Sequence, residues 1–211
     1  MPSQIIPEFY RGQTYYGPTV TIDTANYGAS IQLEGVKKTF CDVTPGSFQP
    51  TSSSEVEALC VRNVSGITLT PGMVVTFQAA FHKRRVDGYS RITAQVCAGI
   101  VDDRLPAAGV RNGDLFWLMR KGHSRYRTLV AGDTIGIGDN LYAQTAANST
   151  ATSAAAENGH LICSTSLATF GATAATDGSM VRMYSNRLGT ALEAATSGET
   201  NTLKGIDLML V

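Results

Sequence analysis

The chain has 211 residues, with 17 lysines and arginines balanced by 17 aspartates and glutamates, so its formal net charge is zero. Charged residues make up only 16% of it, which excludes a chain-wide field drawing it to nucleic acid or an anionic membrane. A chain of this length buries about 70% of its unfolded surface and needs no staples. Its 21 glycines, among many alanines, threonines and serines, suit short strands and turns better than long amphipathic helices, so the expected class is all-β.

In chain order, Met1-Pro2-Ser3-Gln4-Ile5-Ile6-Pro7-Glu8 has neither a basic leader nor a continuous apolar run, and no signal peptide is expected. The longest apolar stretches, 73–77 and 205–211, are far shorter than the ~20 residues that span a bilayer. Residues 1–55 are interrupted by Pro2, Pro7, Pro18, Pro45 and Pro50 and carry Phe9, Tyr10, Arg11, Tyr15, Tyr16 and Tyr27. One reading is an extended N-terminal arm whose amphipathic aromatics serve an interface; the other is a set of edge strands packed on the chain's own domain. Thr51-Ser52-Ser53-Ser54 reads as a flexible joint.

Residues 56–211 are expected to form an antiparallel β-barrel or β-sandwich. Residues 58–64 make a short apolar strand, 63–66 a turn, and Leu69-Thr70-Pro71-Gly72 a second turn leading into Met73-Val74-Val75-Thr76-Phe77. Residues 91–101 alternate, with Ile92, Ala94, Val96, Ala98 and Ile100 on one face. Asn112-Gly113-Asp114 turns into Leu115-Phe116-Trp117-Leu118-Met119, a central core strand. Two glycine-acid turns, at 131–133 and 138–140, bound short strands at 134–137 and 141–143. Residues 144–159 read as a surface loop, and later strands are expected at 160–164, 180–184, 188–195 and 203–211. In the last, Ile206, Leu208 and Leu210 alternate with Asp207 and Met209, the pattern of a strand that zips into a sheet.

Groups with chemical potential are scattered. Cys41, Cys60, Cys97 and Cys163 lack the close spacing of a zinc or redox centre, so buried, reduced thiols are expected ahead of disulfides or metal. His82, His123 and His160 have no second ligand at metal spacing. No P-loop, Gly-x-Ser-x-Gly or Gly-x-Gly-x-x-Gly follows a strand. Asp102 and Asp103, as neighbours on a strand, are expected on opposite faces and not in one site. No catalytic residue, metal or cofactor is therefore expected, and the chain reads as non-enzymatic. Two basic clusters, His82-Lys83-Arg84-Arg85 and Arg120-Lys121-Gly122-His123-Ser124-Arg125-Tyr126-Arg127, each follow an apolar strand. They read as solvated hairpin tips, as contacts to an acidic protein, or as nucleic-acid grips with an interleaved aromatic.

Residues 61–72 (Val61-Arg62-Asn63-Val64-Ser65-Gly66 and onward), Gly99-Ile100-Val101-Asp102-Asp103, Asn112-Gly113-Asp114-Leu115-Phe116-Trp117, Ala131-Gly132-Asp133 and 188–198 together resemble the capsid decoration, or cement, proteins of tailed bacteriophages and their small β-barrel domain. The likeness spans roughly 55–211 and is one of strand and turn style. It implies a virion protein, made in the host cytoplasm, that binds the outer surface of an icosahedral capsid and stiffens contacts between major capsid proteins. The implied partners are the major capsid protein and further copies of the chain, as a homodimer or homotrimer, with no specific nucleic acid and no membrane. The residues expected to carry binding are Phe9, Tyr10, Arg11, Tyr15 and Tyr16 in the arm and Arg84, Arg85, Arg125 and Tyr126 at loop tips. Two alternatives stand beside it: a head-fibre or tail component, and a carbohydrate-binding β domain in which Trp117, Tyr126 and Tyr142 stack on sugars.

Overall fold

A computed structural model of the chain describes residues 11–14, 33–43, 50–81, 83–87, 97–127, 135–143, 161–163, 187–196 and 202–210. Within them the architecture is all-β, relieved only by a single 3-10 turn at Ala79–Phe81. The strands are β1 (Lys37–Val43), β2 (Pro50–Asn63), β3 (Val74–Thr76), β4 (Arg85–Val86), β5 (Cys97–Val101), β6 (Leu115–Arg127), β7 (Asn140–Ala143), β8 (Leu161–Cys163), β9 (Arg187–Ala191) and β10 (Leu203–Met209). Their main path runs β1-β2-β6-β10-β9-β7-β8, with β5 and β3 branching from β6 and β4 from β2. Pairings are antiparallel except β2 with β4. Among the described residues the sheet is open: no pairing joins β1 to β8 to close a barrel.

β6 is the spine. One edge pairs with β2 from Leu115 to Lys121, while the other pairs with β5 at Leu118 and Met119 and then with β10 from Lys121 to Arg127. The change of partner coincides with a bulge, because Glu57 faces Lys121 and Ala58 faces Met119, leaving Arg120 as an extra residue. An extra residue reverses which side chains face inward. Before the bulge Leu115, Trp117 and Met119 join one apolar cluster and Phe116 and Leu118 another. After it Gly122, Ser124 and Tyr126 are buried while Lys121 and Arg125 are exposed. Gly122 has φ +86°, and a Cβ there would run into the carbonyl oxygen of Glu55, so this crossing of β2 and β6 requires glycine.

The basic run from Arg120 to Arg127 is therefore strand and not a hairpin tip: a solvent-facing charge at every second position is compatible with a half-buried sheet. Residues 97–101 depart from the expected alternation as well, all five being buried. Val75 pairs with Gly99 and Thr76 with Cys97, so Ala98 is bulged. Ala98 and Ile100 consequently enter different clusters. Residues 91–96, and the strand expected at 180–184, lie outside the described residues. So does the loop expected at 144–159.

The two clusters divide the molecule. One is built from residues 59–118 and holds Leu59, Val61, Leu69, Val75, Phe77, Val86, Phe116 and Leu118. The other joins Val56, Cys60, Trp117 and Tyr126 to Leu141, Leu188, Ile206 and Leu208 from the later strands. β10 has the expected alternation, with Ile206 and Leu208 buried and Asp207 and Met209 exposed, and it pairs on both sides, with β6 and β9. The turn at 63–66 is present and organised by buried Asn63. Its side-chain amide donates to the carbonyls of Ile67 and Val110 at 2.8 and 3.0 Å, while its Oδ1 accepts from the backbone N–H of Ser65 at 3.0 Å. Residues 37–43 and 50–55, read from sequence as part of the arm, are β1 and the start of β2.

Candidate interaction surface

The loop between β3 and β4 rises from the core because its ends are fixed there. Phe77 bridges Val86 and both are buried. The 3-10 turn follows, Arg84 donates its N–H to the carbonyl of Phe81 at 3.0 Å, and Arg62 donates to the carbonyl of Arg84 at 3.0 Å. Lys83 takes a left-handed backbone, φ 63°, an uncommon conformation for a residue bearing a side chain.

Beneath this loop lies Glu34. One carboxylate oxygen accepts from Nε of Arg62 and the other from Nε of Arg85 at 3.2 Å, while Arg62 also donates to the carbonyl of Gly113 at 2.5 Å. Burial works to raise the Glu34 pKa, but the hydrogen bonds and charges of the two guanidinium groups outweigh it and hold the carboxyl below its ordinary range. Arg85, held there, stacks on Phe81 with 4.0 Å from guanidinium carbon to ring centroid. Arg85 thus belongs to a strand and is engaged within the chain, whereas Arg84 and Lys83 are exposed, with no ion pair to another described residue. Phe81 is 40% and Val36 42% exposed, and the stem of Arg84 lies against Gly35, the residue before Val36. The reading from sequence found the cations but missed Glu34, Val36 and Phe81. An aromatic ending an apolar run directly before the basic run was the available signal.

Arg11 occupies a different position from that of a free arm residue. Its Nε meets Asp102 Oδ1 at 3.2 Å and its Nη2 meets Asp103 Oδ1 at 2.6 Å. The Gly12 N–H donates to Asp102 Oδ2 at 2.6 Å. The three side chains are 5%, 1% and 13% exposed. Asp102 and Asp103 do share a partner, contrary to the opposite-face expectation, because β5 ends at Val101 and the chain turns there. Burial raises the Asp103 pKa; Arg11 opposes the rise, Asp102 adds to it, and Arg125 opposes it from further off. Phe9, Tyr10, Tyr15 and Tyr16 lie outside the described residues.

Arg125 is exposed on the open face of β6, but Tyr126 is fully buried in the larger cluster. Tyr126 is therefore a core residue and not a loop-tip contact, its place fixed by the alternation after the bulge. Trp117 is 3% exposed and meets Phe40 edge-on at 5.2 Å and 78°. Burial of both rings removes two of the three aromatics on which sugar stacking depended; the side chain of Tyr142 lies outside the described residues. Cys60 and Cys97 are buried free thiols with pKa values pushed up to about 12, chiefly by burial, while Cys41 is exposed and free. Such buried thiols are inert, since the thiolate is the nucleophile.

His123 is half-buried in β6; His82 and His160 lie outside the described residues. Among the described residues no group of three His, Cys, Asp or Glu side chains could hold a metal ion, and no helix is long and apolar enough to cross a membrane. No protein-family model, curated protein or solved structure matches the chain.

Proposed function

We propose that this chain is a virion structural protein that binds the outside of an icosahedral phage capsid and stabilises contacts between major capsid proteins. The observation that supports it best is how three acids with little exposed side chain are engaged: Glu34 is held by two arginines, and Asp102 and Asp103 by Arg11. Acids neutralised in this way are architecture, and what the chain then offers is surface. Arg11, which follows Phe9 and Tyr10 in sequence, is itself held by Asp102 and Asp103. Many copies, each burying ~1,000 Å² or more, hold a shell firmly even when single contacts are modest.

The test is to add purified protein to capsids prepared without it, sediment them, and count bound copies by gel densitometry. Saturable binding of hundreds of copies per shell, with greater resistance to heat or chelator, is the expected result. Tens of copies confined to one vertex or to tails would assign it to a fibre or tail instead. Absence of binding would reject both.

A further inference from the structure

We infer that the surface formed by Val36, Phe81, Lys83 and Arg84 docks an acidic protein segment carrying an apolar side chain. On the reading above, which this inference deepens, that segment belongs to the major capsid protein. Phe81, Lys83 and Arg84 follow closely in one loop, Arg84 lies against Gly35, the neighbour of exposed Val36, and the two cations have no ion-pair partner among the described residues. The platform is built in advance. Glu34 fixes Arg62 and Arg85, Arg85 covers one side of the Phe81 ring, and backbone hydrogen bonds tie the loop to β2. A partner therefore spends little ordering entropy on it. An exposed aromatic flanked by arginine has the composition of an interface centre.

The charge selects the partner's sign, since Lys83 and Arg84 add to a Glu34–Arg62–Arg85 group that already carries more positive than negative charge. It also argues against nucleic acid. Non-specific affinity for nucleic acid accumulates over many phosphate contacts; two free cations above a buried carboxylate supply few, and Val36 has no use there. A protein segment with acids around one apolar anchor uses every group present.

The experiment compares full-length wild type with Phe81→Ala, Lys83→Glu/Arg84→Glu, and a charge-matched control, Lys121→Glu/Arg187→Glu, at exposed positions of β6 and β9. Near-UV circular dichroism and melting confirm folding of each. Binding is read on capsids prepared without the protein and, separately, on an immobilised copolymer of glutamate and tyrosine.

The loop double variant should weaken both by at least tenfold and lower the salt dependence. Phe81→Ala should weaken them about fivefold, and the control should stay within twofold of wild type. Capsid decoration that is indifferent to the loop variants overturns the inference and leaves the capsid reading standing. Loop-dependent copolymer binding without any capsid decoration does the reverse. No retention on the copolymer, or retention of a 30-nucleotide single-stranded DNA lost with Lys83→Glu/Arg84→Glu, overturns the inference.

Discussion

The two halves of β6 are one strand under two regimes. Residues 115–119 are buried on both faces, between two apolar clusters; residues 121–126 are buried on one face and open on the other. Antiparallel ladders serve both, with β2 and β5 in the first and β10 in the second, so strand formation itself tolerates either pattern. What differs is how much each side chain is worth, and the bulge at Arg120 is where the accounting changes. Two-sided burial makes stability insensitive to which face a residue chooses but intolerant of lost volume. One-sided burial frees alternate positions for charge.

That contrast can be broken most directly at Trp117. Trp117→Ala removes a buried ring packed on Phe40 and should cost about 4 kcal/mol, read from urea unfolding midpoints at constant slope. The junction comes next. Gly122→Ala puts a Cβ against the Glu55 carbonyl at positive φ and should cost about 2 kcal/mol; a loss under 0.5 kcal/mol would show that β2 and β6 can separate there freely.

The pH dependence sharpens the comparison on the two-sided half, where Arg62 pairs opposite Leu115 and holds Glu34. The folded pKa of Glu34 lies below the unfolded value, near 4.5, so its contribution is fully present above that pH and is lost as pH falls through the folded value. The melting temperature of Glu34→Gln should therefore trail wild type at pH 7 and converge with it toward pH 3. Asp103 acts the other way: raised above 3.8, it favours the fold as pH falls through its raised value. Being common to both proteins, it drops out of the difference. The smallest effect belongs to the open face, where Arg125→Ala should change stability by less than about 0.5 kcal/mol.

Much of the two-sided half was legible, because a continuous apolar run bounded by Asn112-Gly113-Asp114 has few other solutions. β10 was legible from its period of two. The second half of β6 was not, although Lys121-Gly122-His123-Ser124-Arg125-Tyr126 also alternates large exposed with buried residues. Cations drew attention to charge, and glycine suggested a tip instead of a close crossing. The Arg11 clasp could not be read at all: its partners lie 91 and 92 residues away, and ion pairs leave no periodic trace. Of the candidate surface, the cations at 83–84 were visible. Glu34 beneath them was not, since only the tertiary fold brings it there.

The long stretch of sequence between β6 and β10 casts the charges of β6 in another light. Until that strand docks, the edge of residues 121–127 that it will occupy offers unpaired backbone groups to any other chain, and pairings this distant in sequence form slowly. Lysine and arginine alternating along such an edge repel a second copy of the same segment. The cations of β6 can thus act as a guard during folding, keeping half-built molecules apart while each waits for its own missing strand.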